Sequence, residues 1–288
     1  MSTWTSIIRD INKNQPETRK KDFLIHKIRY WDPKERPVYY FKTLLLFLFN
    51  NLNQLTVNKF FKSKYKTILK KEYSILINKN YIDFDFIQSC YEYEFLEKYL
   101  IKSKKILEIG SGYGRTCYFI MSIFKNIESY TIVDFEEINK KYSMPFLKRN
   151  LFSKYFSKIK FLNINELNKI TKFDLAINID SMQEMDEKDI NKYLDIISEK
   201  GKLFYSSNAL AKYKPEYFGL KKLNKRKLSD ALNSGKNKVF ANVFNSKEFN
   251  KKLIKDGLNN YCPNNFKIKE FQINKTIPFY ADCIYKKN

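Results

Sequence analysis

The stretch "KKILEIGSGYGRTCYFIM", residues 104–121, decides how the rest of the chain is read. Ile106-Leu107-Glu108-Ile109 is a short apolar run between a lysine pair and a glycine, the pattern of a buried strand. From Cys117 the apolar residues recur at Cys117, Ile120, Met121 and Phe124, the three-and-four spacing of one helix face. The loop Gly110-Ser111-Gly112-Tyr113-Gly114 therefore joins a strand to a helix. Glycine lets such a loop turn tightly and lets a ligand approach its backbone. The N–H groups at the helix start, backed by the positive end of the helix dipole, then face that space. The spacing is Gly-x-Gly-x-Gly, not the Gly-x-Gly-x-x-Gly of dinucleotide binders, and no Gly-Lys-Ser/Thr follows, which excludes a P-loop.

Two acids flank the loop. Glu108 stands two residues before the first glycine, where a carboxylate repels a pyrophosphate and suits a cationic ligand. Ser129-Tyr-Thr-Ile-Val-Asp134 is a second strand ending in an acid, placed to grip ribose hydroxyls as in Rossmann-like folds. Together these residues resemble the S-adenosylmethionine site of class I methyltransferases, whose Glu-x-Gly-x-Gly-x-Gly motif stands here as Glu108-Ile-Gly110-Ser-Gly112-Tyr-Gly114. The resemblance implies S-adenosyl-L-methionine as cofactor. Glu108, Gly110, Gly112, Tyr113 and Gly114 would surround its methionine end, Asp134 would hold its ribose, and Arg115 would sit near its carboxylate or cap the loop.

Working outward, the αβ alternation of a parallel sheet continues on the carboxyl side. Strands are expected at 104–109, 129–134, 158–162, 173–179 and 202–206. Helices are expected at about 114–125, at 137–152 with a break at Pro145, and at 186–200, where Asp186 caps and Ile190, Tyr193, Leu194 and Ile197 form the buried stripe. A lysine-rich connection, about 208–244, is too long for a plain loop and reads as a substrate-facing insertion or a partly disordered one. Asn245 and Glu248 then open a helix in capping-box fashion, and Gly257 ends it. Strands at 266–273 and 279–285 close the chain as a hairpin. On the amino side, residues 1–102 contain no glycine and read as a mostly helical extension, with 43–52 packed and 85–100 a helix leading into the first strand. The fold class expected is α/β, a Rossmann-like methyltransferase sheet (parallel strands plus a C-terminal antiparallel hairpin) over 103–288, with the helical extension before it.

Composition narrows the function. The four cysteines form no Cys-x-x-Cys pair and the only histidine is His26, which argues against a structural zinc site or a disulfide framework. The longest apolar run, Leu44 to Phe49, is too short to span a bilayer, and the start lacks a signal-peptide core, so a cytoplasmic location is expected. The net charge is +23, yet of 54 basic residues only seven are arginine. Arginine is the residue that bidentate phosphate and base recognition favours. The charge therefore reads as lysine spread over solvated faces, with no specific nucleic acid expected and association with a membrane surface left open.

The acceptor side is read at the end of the fourth strand, where open α/β sheets bind ligands. Asn178-Ile-Asp-Ser-Met-Gln-Glu-Met185 has neither the Asn/Asp-Pro-Pro-aromatic motif of base amino methyltransferases nor the Pro-Cys of cytosine C5 enzymes. With Ile106–Arg115, Ile132-Val-Asp134 and Phe204-Tyr-Ser-Ser-Asn208, it resembles the sugar O-methyltransferases of bacterial surface-polysaccharide gene clusters, over roughly residues 100–215. Ser111 departs from the glycine of many relatives. The resemblance implies a sugar or glycan acceptor, as a nucleotide sugar or a lipid-linked glycan. A sugar hydroxyl is a poor nucleophile at neutral pH, so a general base is wanted. Asp180 and Glu184 are the candidates on this segment, and His26 is a third on the N-terminal extension. Two carboxylates could also hold Mg²⁺, although the spacing does not demand it. The competing readings are an RNA ribose 2′-O-methyltransferase, with Asp180 in a Lys-Asp-Lys-Glu constellation, and a non-catalytic cofactor-binding protein.

Overall fold

A computed structural model of the chain describes residues 36–63, 71–213, 233–245 and 247–288. Strands β3 (Lys105–Ile109), β4 (Ser129–Asp134), β5 (Ile159–Asn163), β6 (Leu175–Ile179), β7 (Leu203–Ala209), β8 (Phe266–Ile273) and β9 (Tyr280–Lys287) form one sheet of order β5-β4-β3-β6-β7-β9-β8. The pairs β3–β4, β4–β5, β3–β6 and β6–β7 are parallel; β9 runs antiparallel to both β7 and β8. This is the class I methyltransferase arrangement, parallel strands closed by an antiparallel hairpin. The order reverses between β3 and β6, and their register sets Ile109 beside Asn178. A crevice outside the carboxyl ends of these strands follows from that reversal.

The description also includes β1 (Ile75–Ile77) and β2 (Asn80–Ile82), which pair with each other. Helices are α1 (Pro37–Asn50), α2 (Gln54–Lys62), α3 (Phe84–Leu100), α4 (Arg115–Ile123), α5 (Glu136–Ile138), α6 (Met144–Asn150), α7 (Ser153–Phe156), α8 (Glu187–Lys200) and α9 (Lys251–Asn260). The described residues pack as two compact units, one within Met1–Asn51 and Ile68–Phe84, the other within Leu52–Thr67 and Asp85–Asn288.

In the larger unit, one core joins Ile190, Tyr193, Leu194 and Ile197 of α8 and Leu258 of α9 to Leu107, Ile109 and Phe204 of the sheet. A second group of rings gathers around Phe60 of α2, which lies 5.5 Å from Phe86 and 6.0 Å from Phe119 between ring centroids. These aromatic contacts fix α2, α3 and α4 to one another.

Four local expectations are corrected. Residues 75–82 hold a hairpin, not a helix: Asn78 and Lys79 take φ of 48° and 66°, the left-handed pair that a two-residue turn needs, without a glycine to announce it. The apolar 43–52 stretch is covered on one face only. Leu45, Leu48 and Phe49 are buried while Leu44, Leu46 and Phe47 are exposed, because residues three and four apart share a helix face and their immediate neighbours turn away from it. The helix expected from Asn245 begins instead after Asn250, whose side chain accepts from the N–H groups of Lys252 and Leu253. Glu248 caps a turn there, accepting from Asn242 N and Asn245 Nδ2. Gly257 lies inside that helix and does not end it; a Cβ there would come within 2.7 Å of the Leu210 carbonyl, so glycine permits the close crossing. The break at Pro145 is present as a π-helical segment, Asn139–Ser143, before α6.

Candidate functional site

The glycine loop turns as its sequence demands. Gly110, Gly112 and Gly114 have φ of 72°, 55° and 93°, all in the left-handed region. A Cβ on Gly110 would overlap the Ser181 side chain, and one on Gly114 would press on Leu147; around Gly112 nothing lies within 4 Å. The first and last glycines are thus packing requirements, and the middle one borders open space. Asn178 locks this arrangement: its Nδ2 donates to the Ile109 carbonyl (2.9 Å) and to Ser181 Oγ (2.6 Å), tying the ends of β3 and β6 together.

Asp134 reaches across from the end of β4. Its Oδ2 accepts from the N–H groups of Ser111 (2.8 Å) and Gly112 (3.1 Å), and its Oδ1 from Phe135 N (2.8 Å). Ser111 Oγ adds a longer contact to Oδ2 (3.5 Å), and Oδ1, with a single donor, keeps room for a ligand hydroxyl. Next to it is a cavity of about 130 Å³, lined by Gly110, Asp134, Phe135, Ile164, Asn165 and Tyr193 among others. Phe135 and Ile164 are 57% and 38% exposed. Apolar side chains left in solvent at the edge of a cavity give a planar ligand a surface to lie on. Phe135, Ile164 and Asn165 escaped the sequence reading. The available signal was position: each follows a parallel strand at the same carboxyl edge.

Three of the residues assigned to the cofactor point elsewhere. Glu108 is 3% exposed and accepts from Tyr130 Oη (2.9 Å) beneath the loop. Burial drives its carboxyl up to about 8, against the pull of the Tyr130 hydrogen bond and the Arg115 charge. The Arg115 guanidinium, expected near the loop or the cofactor carboxylate, makes a bidentate pair with Glu92 of α3 (2.7 and 2.9 Å) and a bond to Ser89 Oγ (2.9 Å). Burial raises Glu92 above the usual carboxylate range, while Arg115 pulls it back. Tyr113 Oη donates to Asp85 (2.6 Å). These contacts brace the loop from behind.

The acceptor candidates share one short turn. Asp180 has φ of 68°, a conformation costly for a side chain that is not glycine. Its Oδ1 accepts from Tyr280 Oη (2.5 Å) at the start of β9 and from Gln183 Nε2, which also bonds Tyr280 Oη (2.5 Å). Burial pushes the Tyr280 phenol well up, with Asp180 adding to it. Glu184 follows four residues after Asp180 in an exposed position; desolvation and then the Asp180 charge raise its carboxyl, while Lys212 lowers it. Burial and Lys238 lower Lys212, against the pull of Glu184. Ser234 Oγ donates to the Gln183 carbonyl (2.8 Å) and Gly235 N to the Met185 carbonyl (2.7 Å), so the far end of the long connection returns to this turn. Residues 214–232 of that connection and His26 lie outside the described residues. Among the described residues no three His, Cys, Asp or Glu side chains gather as a metal-ligating group, and no helix is long and apolar enough to cross a membrane.

No protein-family model matches the chain, and no curated protein matches it. Solved structures do. It is similar to the mitomycin 7-O-methyltransferase MmcR, with 10% identity over 66% of this chain and 50% of that one, at a TM-score of 0.45. It is also similar to the methyltransferase domain of bacterial CtHen1-C (15% identity, 70% and 98% covered, TM-score 0.47). Human N-acetylserotonin methyltransferase, solved in complex with SAM, is a further neighbour (12% identity, 71% and 56% covered, TM-score 0.38). The chain spans half the length of the first of these. Likeness at this level is one of fold and carries nothing about substrate.

Proposed function

We propose that this chain is an S-adenosylmethionine-dependent O-methyltransferase that methylates a sugar hydroxyl in the making of a surface polysaccharide or other glycan. The observation that carries the cofactor reading is the cavity bounded by Gly110, Asp134, Phe135 and Asn165, next to the open space at Gly112. The fit is chemical: a carboxylate for ribose hydroxyls, exposed apolar side chains for a purine face, and a side-chain amide beside them. When bound, the cofactor supplies a methyl group on a sulfonium, a good leaving group.

The remaining work falls to the acceptor turn. Tyr280 and Gln183 hold Asp180 through its Oδ1, which leaves Oδ2 to accept from a substrate hydroxyl and orient its oxygen. Glu184, whose carboxyl desolvation raises above its ordinary value, is the proposed base and takes the hydroxyl proton. Lys212 faces Glu184 and favours the charged form of that base. The sugar assignment rests on the resemblance of Asn178–Met185 and adjoining motifs, and on a hydroxyl's need for a base.

The test is calorimetric titration of the purified chain with S-adenosylmethionine and its demethylated product, followed by single-turnover methyl transfer. Binding of both, with transfer to a nucleotide sugar or lipid-linked glycan, is the expected result. Absence of binding at millimolar concentration sinks the cofactor reading. Transfer to RNA ribose and not to sugars replaces the acceptor.

A further inference from the structure

A second cavity, of about 280 Å³, lies away from the glycine loop, between α4 and the α6–α7 corner. That is near the lower end of roughly 300–1,000 Å³ typical of small-molecule sites. Its described lining includes Lys125 and Arg149, the rings of Tyr118, Phe152 and Tyr155, the hydroxyl of Ser122, and no acidic residue. Arg149 is exposed and forms no ion pair with any described residue. Phe152 is 56% exposed beside it.

Positive charge is concentrated at this cavity. Three ammonium groups surround the Tyr155 ring: Lys125 at 4.3 Å, Lys154 at 5.0 Å and Lys158 at 5.9 Å from its centroid. Burial raises the Tyr155 phenol, but the Lys125 hydrogen bond and the Lys125 and Lys154 charges outweigh it and leave it below its ordinary value. Glu128, the acid that feels Lys158, is itself paired with Lys104 at 2.8 Å. Lys125 Nζ also donates to the Ser122 carbonyl (2.5 Å), which holds it at the cavity.

We infer that this cavity binds a nucleoside phosphate, its base lying on Phe152 or Tyr155 and its phosphate on Arg149 and Lys125. An arginine without an acid partner matches a phosphate in a fork geometry that no lysine offers. An exposed ring stacks on the face of any base. A bare anion would engage the cations alone and an uncharged aromatic the rings alone; a nucleoside phosphate engages both. The inference stands apart from the cofactor reading, since it uses none of the residues of the glycine loop.

The experiment uses the full chain in about 0.15 M salt, where a diffuse lysine field is screened. UDP is titrated by calorimetry with S-adenosylhomocysteine present in excess, alongside uridine, inorganic pyrophosphate, a UDP-linked sugar and a short single-stranded RNA. UDP is expected to bind, with uridine and pyrophosphate each at least about tenfold weaker. Arg149→Ala and Phe152→Ala should each weaken UDP about tenfold, the loss of one charged hydrogen bond or one stacked ring. Both side chains are exposed, and unchanged thermal melting of each variant confirms that the fold is intact. Equal binding of UDP and the UDP-sugar points to the nucleotide-linked sugar as the source; binding of UDP alone points to a free nucleotide, and both outcomes support the site. Absence of UDP binding, displacement by S-adenosylhomocysteine, or indifference to both substitutions overturns it. So does tight RNA binding without UDP binding, which would make the patch a polymer surface.

Discussion

The two halves of the candidate site are built in opposite ways. The cofactor half comes from strand ends and a single continuous loop, and its shape follows from glycines at positive φ. The acceptor half is assembled from Asp180, Gln183 and Glu184 on one turn, Tyr280 about a hundred residues later, and Lys212 from the long connection. One half is set by backbone geometry, the other by side chains that meet only when the sheet has closed. Substitutions should therefore fail differently in the two halves: through shape in the first, through chemistry in the second.

The largest effect is expected at Gly112. Gly112→Val puts a branched side chain at φ 55° and into the open space beside the cavity. S-adenosylmethionine binding should disappear from calorimetry while the far-UV spectrum of the protein stays that of the parent. Retained affinity would mean that the space at Gly112 is not the ligand's.

The next effect concerns the buried acid behind the loop. Glu108 ionises near its ordinary value when unfolded and only at about 8 when folded. Between those values the unfolded chain holds fewer protons, so stability falls as pH rises from about 4.5 to 8 and levels off above. Glu108→Gln should abolish that part of the slope and gain a few kcal/mol at pH 8 relative to pH 5, an order-of-magnitude figure. Urea unfolding at several pH values reads it directly. An unchanged slope in the variant would show that water or a ligand already compensates the buried charge.

In the acceptor half the changes should be kinetic. Asp180→Asn or Glu184→Gln should lower kcat by at least about 10²-fold, the low end for a general base, with little change in cofactor affinity. If both variants keep near-parental single-turnover rates and His26→Ala does not, the base lies in the N-terminal segment. The smallest effect is predicted for Tyr280→Phe, which removes one donor from Asp180 and should cost about tenfold in kcat, near the strength of a hydrogen bond to a charged group. A loss confined to KM would reassign Tyr280 to substrate binding.

The same contrast explains what could be read from sequence. Ser129–Asp134 and the α8 stripe were legible because apolar periodicity is a local signal. The hairpin at 75–82 was not, because Asn78 and Lys79 supply the left-handed turn that glycine usually marks. Arg115 looked available to a ligand because its partner, Glu92, belongs to the preceding helix and faces it only in the folded chain. The surroundings of Asp180 and Glu184 were not legible, because Tyr280 and Lys212 reach this turn only in the folded chain. Gly257 has the composition of a helix stop, and only the crossing over Leu210 makes it an interior residue.

The positive φ of Asp180 has a consequence for how this molecule can change. A residue held against its backbone preference is a standing loss of folding free energy, on the order of 1–3 kcal/mol. Glycine at 180 would relieve it, so selection for robustness alone would drift toward Asp180→Gly. Under the proposed function, a carboxylate at this position exchanges durability for activity. A thermostability screen without an activity filter would be drawn to this position and would deliver a sturdier protein with an emptied acceptor turn.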